Sequence, residues 1–469
     1  MVEETKQKKT VSATSDIDIS NLKGCIYDSK RSFLDNDRGP EDSTNYNQLR
    51  GRLEASRNKF PPLYQEIDVN PYIRKINEIG EQGFISILLR DPQRNGLARL
   101  MLDIGQAIIQ NGEGYNETAM DAFQEVVSDL YDGFLSAEDR KGVNPPDRET
   151  IPPIVKFGEP EAGPYTWPVD ATATFDLETA VVNLPPSHSR YGILGWAALG
   201  HETAGHDILH ADEGLFEDMA DAMRAALLSQ GIDEDLTEYW TTRIDETASD
   251  CLGILNMGPM AGIGLIGYFR GINDAFTGNP KLRNEGSEDD PHPVDILRGY
   301  VAAYTVRILE FDDANKWSKI IESETDKDLS TIIIGGKTID VAVAKKSAEI
   351  VALVICTNKF SSLENHSLDE IQNWRQIDQI IVNQLMTIIT TANQLPTEIA
   401  SGIYAAHAVA ASVQAALTKD ANIEAIFSRM LLILKTMHDS NPTWGPLFIK
   451  HPGNVVRELI SSYFSNKIS

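Results

Sequence analysis

The residues of this chain best suited to chemistry are two histidines that flank a glutamate. His201, Glu202 and His206 lie within one hexapeptide, and Glu246 follows downstream in an acidic stretch. Neutral imidazole nitrogens and carboxylate oxygens are common zinc ligands, and a further carboxylate beside them can act as a general base. These residue types indicate a hydrolytic metal site in which Glu246 is a candidate third ligand.

The spacing of the two histidines is one residue longer than in the common HExxH pattern. On a regular α-helix, residues five apart point about 140° away from each other, so the two rings could not meet at one ion. A π-bulge absorbs one extra residue, and Gly205 is a favourable position for it. We therefore predict a distortion with i→i+5 hydrogen bonding between His201 and His206. On a regular helix, His206 and His210 with Glu202 would be the better ligand set.

The HExxGH hexapeptide at 201–206, followed by an acidic hexapeptide at 245–250, resembles the motifs of the dipeptidyl peptidase III family of zinc peptidases. In that family both histidines and a glutamate of the downstream motif bind zinc. The resemblance therefore implies one zinc ion per chain, held by His201, His206 and Glu246. It also implies that Glu202 polarises the attacking water and that the chain is a metallopeptidase.

The stretch at 245–253 also resembles the glutamate helix of thermolysin-type gluzincins. In those proteins an aspartate four residues after the ligand glutamate hydrogen-bonds a ligand histidine, which implies this role for Asp250. Metal-binding histidines commonly donate their second ring N–H to a carboxylate, which fixes the metal-binding tautomer. We expect Asp250 or Asp207 to hold His206 in this way.

A further histidine could complete the catalytic groups. His292 lies between two prolines at the entrance of a predicted helix at 294–310, so its freedom is small. Such a residue could be aimed at the oxyanion of a tetrahedral intermediate, although it could equally be a turn residue. The competing candidates for this role on the following helix are Arg298, Tyr300 and Tyr304.

Composition excludes several classes of function. The chain has 42 Lys+Arg against 69 Asp+Glu, a formal net charge of −27, and it has no basic patch. Nucleic acid and anionic membrane surfaces would be repelled, so we expect neither as a partner, and a peptide or small molecule as substrate. Three scattered cysteines indicate a reducing compartment. No apolar segment follows the charged N-terminal residues, so we expect a cytoplasmic location; the oligomeric state stays open.

Hydrophobic periodicity predicts a mainly α fold with a small β component, in the α+β class. We expect a zincin-like catalytic region, with a metal helix and a glutamate helix, between helical N- and C-terminal regions. The expected regions are a flexible leader at 1–55, a helical region at 56–144, the catalytic region at 145–310 and a helical region at 311–469 with a hairpin near 332–343.

Three elements of the catalytic region would position the site. Alternating residues at 171–182 predict a strand, whose edge could hold an extended peptide through main-chain hydrogen bonds or could simply cover the core. The segments 191–210 and 236–255 are predicted to be the metal helix and the glutamate helix. The uncharged stretch at 251–269 contains a proline and several glycines, which favours a buried segment over a membrane span.

Two other functions compete with a peptidase. In an HD-type phosphohydrolase, the His206-Asp207 doublet would bind metal with an upstream histidine such as His188 and a distal Asp245 or Asp250. The acidic surroundings lack the lysines and arginines usually recruited to phosphate, which favours the peptidase. The second alternative is a non-catalytic scaffold that a metal ion stabilises.

Overall fold

A small sheet between two hydrophobic cores organises the fold. The computed structural model describes residues 17–135, 140, 142–147, 151–161, 163–391, 396–445, 456–457 and 459–461. Helices account for 67% of the described residues and strands for 6%. These proportions confirm a mainly helical fold with a small β component.

The helices and strands are numbered in chain order within the described residues. The α-helices are α1 (Leu22–Leu34), α2 (Tyr46–Ser56), α3 (Pro62–Tyr64), α4 (Asn70–Arg90), α5 (Leu97–Glu113), α6 (Glu117–Leu135), α7 (Val169–Thr172), α8 (Ile193–Ala197), α9 (Leu215–Ser229), α10 (Glu234–Thr241), α11 (Ile244–Met257), α12 (Pro259–Thr277), α13 (Asp295–Ile308), α14 (Ala314–Asp326), α15 (Val341–Thr357), α16 (Leu368–Ile371), α17 (Gln376–Thr391), α18 (Ala405–Leu417) and α19 (Ile423–Ser440). The 3-10 helices are Arg57–Lys59, Ala173–Phe175, Pro186–Ser189, Ile208–Ala211, Ser361–Leu363 and Thr397–Ser401. The π-helices are Gln65–Val69 and Gly200–Gly205. The strands are β1 (Ile154–Phe157), β2 (Tyr165–Trp167), β3 (Val181–Leu184), β4 (Glu285–Gly286), β5 (Ile332–Ile334) and β6 (Lys337–Ile339).

The first sheet has the strand order β1-β3-β2, with β1 parallel and β2 antiparallel to β3. Successive side chains of a strand point to opposite faces. Accordingly, Val155 and Phe157 pack into the larger core, whereas Ile154 packs into the smaller core with helices α2, α4 and α5. The sheet therefore separates the two cores, and β2 lies at its edge beside the π-helix at 200–205.

The second sheet contains the predicted hairpin. Its strand order is β4-β5-β6, with β5 and β6 antiparallel. The turn residues Gly335 and Gly336 have φ values of 54° and 79°, a left-handed conformation that glycine adopts at little cost. This confirms the hairpin predicted near 332–343.

Part of the expected flexible leader is folded. Helix α1 packs against α12, and its buried Asp28 accepts hydrogen bonds from the backbone N–H groups of Gly192 and Ile193 at 2.8 and 3.0 Å. The flexible assignment is therefore wrong for residues 17–55, since α1 is a regular helix that buries Leu22 and Cys25; residues 1–16 lie outside the described residues. This helix anchors the start of α8, which leads into the segment that carries His201 and His206.

The prediction of a strand at 171–182 is wrong for most of that segment. Helix α7 and the 3-10 helix Ala173–Phe175 occupy its first part, and only β3 is extended. Asp176 has a φ of 65°, which ends any extended run, and the Thr172 hydroxyl donates to the Thr179 carbonyl at 2.6 Å. The alternating pattern reflects burial of Thr172 and Phe175 on one side of a helical turn.

The two helices predicted to carry the metal ligands are each interrupted. The segment 191–210 is divided into α8, the π-helix and a 3-10 helix, and the segment 236–255 is divided between α10 and α11. The uncharged stretch 251–269 spans the end of α11 and the start of α12, and both are buried. Within the described residues, no helix has both the length and the apolar character that crossing a membrane requires.

Candidate metal centre

The two histidines of the hexapeptide meet because the chain around them is a π-helix. The π-helix Gly200–Gly205 supplies the predicted i→i+5 distortion, and it brings residues five apart to the same side. The Nε2 atoms of His201 and His206 lie 3.1 Å apart, with the two rings nearly perpendicular at 86°. This confirms the predicted geometry. The alternative partner His210 instead packs against the Phe216 ring, with the ring centroids 4.7 Å apart.

Two glycines allow the π-helix to lie directly on α11. A Cβ atom at Gly205 would lie 1.7 Å from the Ser249 hydroxyl and 2.3 Å from the Ser249 Cα. A Cβ atom at Gly200 would lie 3.1 Å from the Cα of Gly253. The two segments therefore touch through their backbones, which brings both histidines to the helix that carries Glu246.

Replacement of Gly205 by alanine should disturb this contact. The new methyl group overlaps the Ser249 backbone, so we expect a loss of about 1–3 kcal/mol in the free energy of unfolding and at least tenfold weaker metal binding. Chemical denaturation and a competitive chelator titration measure the two quantities. Gly51→Ala is the matched control, because nothing lies within 4 Å of a Cβ atom there. Equal metal affinity in both variants would contradict a geometric role for Gly205.

Glu246 completes a triangle of ligand atoms. Its Oε2 lies 3.5 Å from Nε2 of His201, and its Oε1 lies 3.5 Å from Nε2 of His206. Zinc–ligand bonds of about 2.0–2.1 Å at tetrahedral angles separate neighbouring ligand atoms by about 3.3–3.4 Å. Within the described residues, this is the only group of three potential ligands whose atoms all lie within 4.8 Å of one another. The donor types and their separations fit a zinc ion.

Asp250 supports the first histidine. Its Oδ1 lies 2.9 Å from Nδ1 of His201, and Arg298 donates to both of its carboxylate oxygens at 2.7 and 2.8 Å. Burial alone would raise the pKa of Asp250, but the charge of Arg298 and the hydrogen bond from His201 hold that pKa well below its usual range. An ionised Asp250 keeps the proton of His201 on Nδ1 and leaves Nε2 free for metal. The expected support by a carboxylate is present, although Asp250 holds His201 and not His206.

Asp245 supports the second histidine, a role that the sequence did not indicate. Its Oδ1 lies 3.1 Å from Nδ1 of His206 and 3.8 Å from Nε2 of His210. Burial opposes a charge on His206, but the hydrogen bond to Asp245 and the negative charges of Glu202 and Glu246 outweigh burial and raise the pKa of His206 to about 9. The position is thus electrostatically suited to a cation.

The groups required by an HD-type site do not converge. The expected contact of Asp207 with His206 is absent from the described residues, since Asp207 is buried and its Oδ2 has no hydrogen-bond partner there. The π-helix ends at Gly205, and residues 206 and 207 form a turn. His188 is also fully buried, with its ring 6.1 Å from that of Tyr268, and neither residue belongs to the ligand group.

Glu202 is held beside the ligands by the edge strand. The hydroxyl of Thr166 on β2 donates to the main-chain carbonyl of Glu202 at 2.9 Å and lies 3.4 Å from its Oε2. The neighbouring side chains Tyr165 and Trp167 point to the other face, where both donate to Oδ2 of buried Asp103 at 2.7 Å. The strand is fixed on both faces, so Thr166 presents a defined hydrogen bond to the candidate base.

The side chain of His292 also lies next to Glu246. Its Nε2 lies 3.2 Å from Oε1 of Glu246, its Nδ1 lies 3.2 Å from Oδ1 of Asp290, and half of its side chain is exposed. A half-exposed ring beside the ligands can contact both substrate and solvent. Of the competing candidates, Tyr300 donates to Asp326 at 2.8 Å and Tyr304 lies under Arg307, so these two residues face α14 and α15.

Comparison with known proteins does not assign this chain to a family. No protein-family model, curated protein or solved structure matches this chain. The resemblance to dipeptidyl peptidase III and to the thermolysin-type gluzincins therefore rests on the motif residues alone. What the site can do follows from its own residues.

Proposed function

We propose that this protein is a zinc-dependent metallopeptidase of the gluzincin type. The observation that carries the proposal is the triangle of His201, His206 and Glu246 ligand atoms, with Glu202 on the same π-helix as both histidines. Three protein ligands leave a fourth position open, which is typical of catalytic and not of structural zinc sites. When bound, zinc supplies Lewis acidity, which activates water near pH 7.

The residues around the ligands supply proton transfer and charge stabilisation. Glu202 is buried beside His201 and serves as the general base, taking a proton from water and passing it to the leaving amine. Asp250 and Asp245 hold the two imidazoles in the tautomer that ligates metal. His292 donates a hydrogen bond to the developing oxyanion, and Asp290 orients its ring.

The edge strand β2 supplies a place for an extended peptide. Within the described residues, β2 pairs with β3 on one side only, so its other edge keeps main-chain groups for a further strand. An extended substrate can add to such an edge through main-chain hydrogen bonds. Thr166 on this strand also contacts Glu202, so a peptide on β2 would lie next to the base. This arrangement favours a peptide substrate over a phosphate ester.

Metal analysis combined with a peptide digest tests the proposal. The purified full chain should contain about one zinc per molecule and should cleave peptides of a defined mixture, with products identified by mass spectrometry. A chelator should abolish cleavage, and added zinc should restore it. Full zinc occupancy without hydrolysis would support a metal-stabilised scaffold, and hydrolysis of phosphate esters but not of peptides would support the HD-type alternative.

Thr166→Val tests whether the Thr166 hydroxyl positions Glu202, independently of any role in folding. Valine preserves the shape of threonine but removes the hydroxyl that contacts Glu202, so we expect kcat to fall about tenfold while KM and zinc content stay unchanged. Steady-state kinetics on a peptide identified in the digest measures the change. Thr166→Ser restores the hydroxyl and should recover most of kcat. Thr172→Val, which removes a buried hydroxyl remote from the ligands, is the control. Equal kcat in the valine and serine variants would contradict the positioning role.

A further inference from the structure

A cavity of about 270 Å³ lies beside the helix that carries Glu246. Helix α10, the turn before α11, the hairpin β5–β6 and the loop before His292 line it, and it is open to solvent. Its apolar lining comes from Leu236, Tyr239, Ile334 and Ile339, and its polar lining includes Thr242 and Arg243. The volume suits a small organic molecule and is below that of most drug-binding pockets, which span roughly 300–1,000 Å³.

Arg243 is the unusual feature of this cavity. The residue is only 5% exposed, and its guanidinium lies 4.0 Å from the centre of the Tyr239 ring. Nη1 donates to the Tyr239 carbonyl and the Thr242 hydroxyl, and Nη2 donates to the Glu288 carbonyl at 2.6 Å. Within the described residues, no carboxylate lies within 4.0 Å of this guanidinium, and its Nε–H has no hydrogen-bond partner.

A buried guanidinium normally has a carboxylate or phosphate counter-ion, because an unpaired buried charge is unfavourable by several kcal/mol. Within the described residues, Nη2 donates only to the Glu288 carbonyl, so its second N–H is available to an acceptor on a ligand, whereas Nε is shielded from solvent. We propose that the cavity is a binding site for a small monocarboxylate with an apolar body. Its carboxylate pairs with Arg243, and its hydrocarbon part contacts the leucine and isoleucine side chains of the wall.

The other charged residues around the cavity determine how much negative charge a ligand can carry. Asp235 is paired with Lys337, and Glu238 is paired with Arg224, so neither carboxylate is available to Arg243. Glu288 is exposed to solvent and contributes one further negative charge at the rim. A phosphate dianion would meet more repulsion from these acidic groups than a monocarboxylate would. A single carboxylate on an apolar body therefore fits the site best.

The cavity is connected to the loop that carries His292. Arg243 holds the carbonyl of Glu288 before this histidine, and the Tyr239 hydroxyl accepts a hydrogen bond from the Val294 backbone N–H after it, at 2.9 Å. Arg243 also occupies the N-cap position of α11, three residues before Glu246. A ligand in the cavity thus lies next to the metal centre but makes its own contacts. Its binding needs neither zinc nor hydrolysis.

Isothermal titration of the full chain with isovalerate, and with its neutral analogue isovaleramide, tests the site. We expect isovalerate to bind at least tenfold more tightly than isovaleramide, because only the acid supplies a charge for Arg243. The affinity should be the same before and after zinc is removed with a chelator, which excludes coordination to the metal. Binding is measured without any activity, so failure of the proposed peptidase function leaves the outcome unaffected. Equal binding of acid and amide would overturn the proposal.

Four substitutions locate the binding to this cavity. Arg243→Met should weaken isovalerate at least tenfold, whereas Arg57→Met, which removes an exposed arginine outside the cavity lining, should leave the affinity unchanged. Ile339→Trp fills the cavity from the hairpin and leaves residue 243 as arginine; it should also abolish binding, which provides a second test if Arg243→Met does not fold. Glu288→Gln removes the negative charge at the rim and should tighten isovalerate two- to threefold. Undiminished binding in Ile339→Trp would refute the cavity as the site.

Discussion

Replacement of Glu202 by glutamine should slow peptide hydrolysis by about 10²-fold or more while zinc stays bound. Glutamine keeps the size and the hydrogen bonds of the side chain but cannot accept a proton from water. Glu202 is not part of the ligand triangle, so metal content should not change. Elemental analysis and kcat on a peptide identified in the digest measure the two effects together.

A matched substitution controls for the loss of one negative charge. Glu217 lies in the first turn of α9 and is exposed, so Glu217→Gln changes the net charge equally without touching the site. Its kcat should equal that of the unmodified protein. If zinc-loaded Glu202→Gln were as active as this control, Glu202 would not be the base.

His201→Ala should remove most of the zinc and reduce hydrolysis to background. Structural zinc sites with four ligands bind with roughly 10–16 kcal/mol, so loss of one ligand corresponds to about 3–4 kcal/mol, or a 10²- to 10³-fold lower affinity. Zinc content after dialysis against a weak chelator and the residual rate of peptide cleavage measure the change.

Comparison of Asp207→Asn with His201→Ala distinguishes the proposed peptidase site from an HD-type site. Asp207 does not belong to the ligand group, so its amide should retain zinc and activity. An HD-type site predicts the reverse pattern, in which the aspartate of the doublet is essential for metal. Loss of metal from Asp207→Asn, with retention in His201→Ala, would therefore replace the peptidase proposal.

The ligand triangle could be predicted from sequence because residue chemistry and helix geometry are local properties. The histidine spacing is incompatible with a regular helix, which forced the prediction of a distortion, and the structure contains it. The role of Gly205 was only partly foreseen. Its lack of a side chain matters chiefly because Ser249 lies against it, and that contact joins segments far apart in the chain.

The groups around the ligands were harder to predict, because their partners are set by tertiary packing. Asp245 and Asp250 lie on one helix, and nothing in their spacing says which histidine each one contacts. Thr166 belongs to a three-residue strand within a proline-rich stretch, where strand periodicity is too short to detect. The polar composition of the first 55 residues concealed α1 for a similar reason, since few buried positions suffice to dock a short helix.

The backbone contact between Gly200 and Gly253 also bears on the choice of ion. No side chain lies between the two segments there, so their close backbone contact sets how near the histidines lie to Glu246. Calcium takes six to eight oxygen ligands at about 2.3–2.6 Å, and magnesium requires near-octahedral oxygen ligands. Neither demand is met by two imidazole nitrogens and one carboxylate whose atoms lie 3.1–3.5 Å apart. For the proposed centre we therefore expect zinc to bind more tightly than calcium or magnesium.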